Sequence, residues 1–295
     1  MSIIDIAAQI VKNESSESSD DNARTIILAG SKSVGKSHLL YSFLEKSDTP
    51  RETLVLEYSF GRKSSQKQSI DKIICHVWEY GGRLEMLKSV LTSIPLSKKF
   101  YYCVMVDLSK IKTIWDTLET SLQAVKENYT DTSNFPEIII IGGKYDIFKN
   151  YDSEIKKFIC TTIRSVALIF NTYLLFYSYK ESHLLRKAKE MFYTIGFGTG
   201  VPLKEKNTNY AKPLIIPKGS DSWDSIGVSA STLEQVKLRH QSRIAPENEI
   251  KLEVKPLQRT HPEPILDSLV ALKYEELRSM ETYDPSIDEH LILLQ

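Results

Sequence analysis

The sequence predicts an α/β fold: a mostly parallel sheet with one antiparallel edge strand, helices on both faces, and an extended, partly helical C-terminal arm. Three observations predict it. From Arg24 onward, apolar runs of four to six residues alternate with longer amphipathic stretches. The runs are apolar throughout, as strands covered on both faces must be. The first run passes directly into a glycine-rich turn and then a helical pattern, which is how a βα unit begins.

The elements follow in order. Strands are expected at 25–30 (TIILAG), 53–60, 73–80, 101–108, 137–143 and 172–179, with helices near 36–46, 83–92, 113–128, 151–170 and 182–194. The second and third strands are joined by GRKSSQKQSID, which is polar, opens on Gly61 and is too short for a helix. A hairpin there places one antiparallel strand at an edge. Residues 1–22 read as a short apolar helix (Ile3, Ile4, Ile6, Ala7, Ile10, Val11) followed by an acidic linker, ESSESSDD. The α/β domain is expected over 23–196. Beyond it the texture changes: eight of the 11 prolines lie from Pro202 onward and the last glycine is Gly227. Residues 197–295 therefore read as a Pro-rich arm with short helices at 230–243, 263–280 and 286–295. In the second of these, Ile265, Leu266, Leu269, Leu272 and Leu277 share helical spacing, which suits either packing back on the domain or contact with a partner.

Composition narrows the function. The chain has 295 residues, with 38 Lys+Arg against 38 Asp+Glu and a net charge of zero. A general phosphate-backbone binder carries a basic excess, so no nucleic-acid partner is expected. A neutral chain is also weakly self-repelling, which suits life inside an assembly. The longest apolar stretch, 165–179, is too short to span a bilayer and contains Asn171 and Thr172, so no membrane insertion is expected. The N-terminus lacks a basic segment ahead of its apolar residues, so the expected location is the cytoplasm. Cys75, Cys103 and Cys160 lack metal or redox spacing, and the first two sit in apolar runs. They read as core residues in a reducing compartment.

The chemistry lies at Gly30-Ser31-Lys32-Ser33-Val34-Gly35-Lys36-Ser37, a complete G-x-x-x-x-G-K-[ST] between a strand and a helix. Its glycines let backbone N–H groups close round phosphate oxygens at a helix N-terminus. Lys36 would reach the β- and γ-phosphates and Ser37 would ligate Mg²⁺. An acidic residue should end a later strand and hold the metal shell. HVWEYGGR offers Glu79 there, with Gly82 three residues on, a spacing similar to the W-D-x-x-G element of Ras-like GTPases. Arg83 stands where an active GTPase carries a water-orienting Gln, and guanidinium only donates hydrogen bonds. After the fifth strand, Gly143-Lys144-Tyr145-Asp146 matches the guanine-reading N-K-x-D at Lys144 and Asp146 but lacks the Asn. Ser178-Tyr179-Lys180 is similar to the following S-A-K element. These five elements in this order imply a Ras-like domain with eroded catalysis. Its cofactor would be a guanine or adenine nucleotide with Mg²⁺, held by Ser37 and Glu79 if a nucleotide binds.

The blocks LVLEYSFGRK (Glu57, Tyr58, Phe60, Gly61, Arg62) and IIGGKYDIF (Gly142, Lys144, Tyr145, Asp146, Phe148) resemble the light intermediate chains of cytoplasmic dynein. The segment KPLIIPKGSDSWDSIG resembles the dynein-2 branch, the ciliary retrograde motor. The resemblance covers roughly residues 24–243. It implies a non-catalytic subunit that clasps the tail of the dynein-2 heavy chain for retrograde intraflagellar transport and cilium assembly. Implied partners are the heavy chain, other dynein-2 subunits and intraflagellar transport trains, with microtubules reached only through the heavy chain. Implied locations are the cytoplasm, cytoskeleton, axoneme and basal body. The alternative reading is an active Ras-like GTPase switch, against which Arg83 counts.

Overall fold

Seven strands form one sheet, in the spatial order 56–64, 72–80, 23–30, 99–107, 137–143, 173–176 and 215–216. The computed structural model describes residues 23–64, 72–95, 99–129, 135–245 and 264–278. The helices expected within 1–22 and 286–295 lie outside them. The strands are β1 (Ala23–Gly30), β2 (Leu56–Ser64), β3 (Lys72–Tyr80), β4 (Lys99–Asp107), β5 (Glu137–Gly143), β6 (Tyr173–Phe176) and β7 (Ile215–Ile216). The described helices are α1 (Lys36–Phe43), α2 (Leu87–Leu91), α3 (Ile114–Asn128), α4 (Tyr145–Phe148), α5 (Ser153–Ile169), α6 (Ser182–Phe197), α7 (Trp223–Ile226), α8 (Leu233–Gln241) and α9 (Pro264–Arg278).

The unbroken apolar strands reflect burial on both faces. Ile26 and Leu28 of β1, Cys103 and Met105 of β4, and Ile139 and Ile141 of β5 point to one core layer, packed by α1 and α6. Their neighbours Ile27, Val104, Val106, Ile138 and Ile140 point to the other, packed by α3 and α5. Each residue step along a strand reverses the face, so a run of apolar residues fills two layers. All three cysteines are free and buried in these layers. Burial pushes the Cys75 and Cys160 thiols up to about 12, so they behave as core residues.

The β2–β3 pair is antiparallel, as the short polar connection predicts. Strand β2 starts three residues later than expected, and Gly61 lies within it. A Cβ at Gly61 would meet the Phe197 ring at 3.1 Å, so the glycine admits α6 against the edge strand. The residues left out of the strand, 53–55, turn towards the loop that follows β3.

A second antiparallel strand, β7, borders the other edge, pairing Leu174 with Ile216 and Leu175 with Ile215. Pro213 and Pro217 flank it and hold it to two residues, since proline cannot donate to a ladder. The same prolines make this stretch read as an arm. One compact unit runs to Pro246, past the expected boundary at 196. Residues 197–245 contribute Leu214, Ile216 and Val236 to a core layer. They are also buckled to α5, where Arg164 donates to both Asp221 oxygens at 2.8 and 2.7 Å and to Ser225 Oγ at 2.9 Å.

Helix α8 begins at Thr232, which forms a capping box with Gln235. The second unit, from Glu247, contains α9, whose Ile265, Leu266, Leu269, Val270 and Leu272 are exposed.

Candidate functional site

Strand β1 ends at Gly30, whose φ of 126° and missing side chain both matter: a Cβ there would lie 2.0 Å from the Met105 carbonyl oxygen. The chain can cross β4 at that point only as glycine. Ser31 then anchors the turn from below. Its N–H donates to Met105 O at 2.8 Å, and its Oγ accepts the Asp107 N–H at 3.1 Å. Gly35 caps α1 in the left-handed region at φ 105°, and Ser33 shares that region at φ 56°. The loop so formed opens on a cavity of about 300 Å³.

Lys32, Ser33, Val34, Gly35, Lys36, Ser37, Glu79 and Lys144 all line this cavity. The buried Lys36 ammonium donates to Ser31 O at 2.9 Å and Gly30 O at 3.4 Å. Burial lowers its pKa, and the Glu79 and Glu52 carboxylates oppose that shift. Ser37 Oγ donates to Glu79 Oε1 at 2.7 Å. Burial raises the Glu79 pKa, against the Ser37 hydrogen bond and the Lys36 charge. The loop fits a phosphate group: left-handed backbone at Ser33 and Gly35 leads into the first turn of α1, whose N–H groups have no intrahelical acceptor. The Ser37 hydroxyl and the Glu79 carboxylate are oxygen donors of the kind a hydrated Mg²⁺ takes.

Beside Glu79, Gly81 is held against the 53–55 turn. Its N–H donates to Val55 O at 2.8 Å, and a Cβ would fall 1.8 Å from Thr53 O. Gly82 lies outside the cavity wall, against the Tyr80 hydroxyl, which donates to the Arg83 carbonyl. Arg83 is exposed and also outside the wall.

The far end differs from the expectation. Lys144 sits at φ 58° and its ammonium is held 2.7 Å from the buried Asp107. Asp146 is not in the cavity wall. Its Oδ1 accepts the Ser178 hydroxyl at 2.7 Å and its Oδ2 faces Lys180 at 3.3 Å. Partial burial raises its pKa, but Ser178 and Lys180 outweigh this and hold it below the ordinary carboxylate value. Asp146, Ser178 and Lys180 thus pair with one another next to the cavity, and none of them is among the residues that line it. Gly143 is also explained: a Cβ there would meet Val34 Cγ2 at 2.4 Å and Val34 O at 3.0 Å. The missing Asn is excluded by the phosphate loop itself. Gly143→Asn is therefore expected to destabilise by about 1–3 kcal/mol, as overpacking does, lowering the thermal midpoint. An unchanged midpoint would show that Val34 yields freely.

Sequence reasoning left several wall and anchor residues unassigned, among them Pro50, Arg51 and Glu52. Asp107 orients Lys144, and Thr53 backs Gly81. His38, expected simply on the helix surface, is exposed but stacks on Tyr179 at 4.7 Å, and both rings line the cavity. Asp107 ends an apolar run and is legible as an acidic strand terminus. Tyr179 lies within the Ser178-Tyr179-Lys180 element, whereas Thr53 and His38 lie in no pattern.

The glycine turn, the Glu79 carboxylate and the Lys-x-Asp cluster hang from the carboxyl ends of β1, β3 and β5, where open α/β sheets bind ligands; the chain contains a Ras-like GTPase domain. Consistently, residues 25–146 match the family described as Roc, the Ras of Complex domain of DAPkinase. The chain is 32% identical, over 92% of each protein, to cytoplasmic dynein 2 light intermediate chain 1 of Danio rerio. It is 34% identical to the protein of that name from Bos taurus, over 75% of this chain and 73% of the other. A crystal structure of a dynein light intermediate chain's conserved domain aligns with a TM-score of 0.47 and 13% identity, covering 75% of this chain and 89% of that one. The chain belongs to the cytoplasmic dynein 2 light intermediate chain family.

Proposed function

We propose that the chain is a non-catalytic accessory subunit of the dynein-2 motor, binding and stabilising the heavy-chain tail for retrograde intraflagellar transport and cilium assembly. The observation that carries this reading is the 32% identity to cytoplasmic dynein 2 light intermediate chain 1 across 92% of both chains. Its partners are then the heavy chain, the other dynein-2 subunits and intraflagellar transport trains. It meets microtubules only through the heavy chain, and works in the cytoplasm, axoneme and basal body.

Two features of the site support a role without turnover. The position next to Gly82 holds an exposed arginine outside the cavity, and arginine has no acceptor with which to orient an attacking water. The Lys36 and Ser37 side chains are satisfied by the loop carbonyls and by Glu79, so the loop keeps its shape on internal bonds. If nucleotide binds, it supplies phosphate charge that Lys36 and the loop N–H groups neutralise, as a structural element.

The test is co-purification with the heavy-chain tail. Full-length Lys36→Ala is expected to retain association within about twofold, because the contact surface does not depend on turnover. Loss of association by a folded Lys36→Ala chain, or GTP hydrolysis accelerated by the heavy chain, would instead favour a GTPase switch.

A further inference from the structure

We propose that the furrow between α3 and α5 is a docking groove for this chain's own N-terminal segment, residues 2–12, laid in it as an amphipathic helix.

One stretch of the furrow is already filled by a helix. Lys237 of α8 pairs with Glu119 of α3 at 2.6 Å, and His240 sits between Trp115 of α3 and Phe158 of α5. Helix α8 begins at Leu233, and there the furrow continues as an open cavity of about 690 Å³. Its floor is apolar, formed by Leu118, Leu122, Val166, Phe170 and Leu233, and Gln123, Lys126 and Glu127 stand exposed on its rim. From Glu119, where α8 is tied, to Glu127 the α3 wall advances about 12 Å. An apolar floor with a polar rim takes a helix with one apolar face.

The sequence 2–12 has that form. At helical spacing Ile3, Ile4, Ala7, Ile10 and Val11 share one face, while Ser2, Asp5, Gln9 and Lys12 share the other. As a helix, 3–11 is about 13 Å long, the length of the open stretch. The segment also joins the described structure at the right place. It leads into β1 at Ala23, and Arg24 pairs in register with Lys99 of β4. Beside Lys99, Phe100 packs on Tyr129, the residue that follows α3, with ring centroids 5.3 Å apart. Ala23 and the Glu127 end of the cavity thus lie at the same end of the sheet. Residues 13–22 span up to ~33–36 Å when extended, well over the roughly 10–12 Å width of the one helix, α3, that stands between. That connection, NESSESSDDN, is acidic, and the exposed Lys99 and Lys126 flank its path. A second copy or a foreign helix could match the apolar floor, but only the tethered segment arrives at a high effective concentration.

Cross-linking of the full chain tests this. The three native cysteines are buried, so cysteines placed on the surface are the ones a short bismaleimide joins. Ala8→Cys, at the border of the apolar face, is combined with Gln123→Cys on the exposed rim. The control combines Ala8→Cys with Glu190→Cys, exposed on α6 across the sheet. The first pair is expected to give at least about tenfold more cross-linked peptide within one chain, independent of protein concentration. Adding Ile3→Asp/Ile10→Asp should lower that yield about tenfold or more, and Asp5→Ala should leave it within about twofold. Equal yields from the two pairs, or no effect of Ile3→Asp/Ile10→Asp, overturn the proposal. Cross-links that join two chains and fade on dilution also overturn it, and assign the groove to a second copy.

Discussion

Asp221→Ala is expected to destabilise the compact unit by about 3–5 kcal/mol, the loss typical of a buried ion pair deprived of one partner. Both side chains of the Arg164–Asp221 pair are under a tenth exposed. The carboxylate accepts two guanidinium hydrogen bonds, and Arg164 also reaches Ser225 Oγ and the Thr208 carbonyl. The pair thus ties α5 to the stretch that carries β7, α7 and α8. Removing Asp221 leaves a planar cation buried with only a hydroxyl and one long carbonyl contact. The cost comes from that uncompensated charge, not from the worth of the pair itself. The distinction is testable. Arg164→Met/Asp221→Leu replaces the ions by apolar groups and should recover most of the loss in urea denaturation. If Asp221→Ala costs under 1 kcal/mol, residues 197–245 are held by their apolar contacts alone.

That pair also shows what is legible in the sequence. The alternation that predicts the sheet is visible because Ile26–Ala29 and Ile138–Ile141 fill two layers, and short runs apolar at every position belong to strands covered on both faces. The phosphate loop is legible because its geometry demands glycine at 30 and 35. Residues 197–245 are harder to place. β7 is two residues long, α7 is four, and Pro213 and Pro217 punctuate them as they would punctuate a linker. What joins these pieces to the domain is long-range: Arg164 and Asp221 lie 57 residues apart, and no local pattern announces their meeting. The same holds at the site. Lys36, Ser37 and Glu79 follow from spacing. The pairing of Asp146 with Ser178 and Lys180 joins residues more than 30 apart in the chain, and the crowding at Gly143 comes from Val34 of the phosphate loop.

Acid is expected to loosen α8 through His240. This side chain is 1% exposed and lies between Trp115 of α3 and Phe158 of α5, each with a ring centroid 5.8 Å away. Neither ring nitrogen has a hydrogen-bond partner among the described residues. The surrounding charges are engaged elsewhere, with Lys237 on Glu119 and Arg243 over the Phe158 ring. Burial among aromatics disfavours the imidazolium and lowers the pKa from 6.5 to about 4. The unfolded chain therefore binds a proton more readily than the folded one across this interval. Stability is full above about pH 6.5, falls as the pH drops towards 4, and changes no further from this group below that. Between pH 7 and 5 the loss is about 2 kcal/mol, since each unit of pKa displacement is worth 1.36 kcal/mol. His240→Phe keeps the aromatic slot filled and removes the titration. Denaturation of the two chains at pH 7 and pH 5 should show a loss in the native sequence about 2 kcal/mol larger than in the variant. Equal losses would mean that His240 finds a partner that holds its charge. Because α8 supplies Val236 to the core and Lys237 to Glu119, the detachment should appear first in the hydrogen exchange of 233–241, ahead of the sheet.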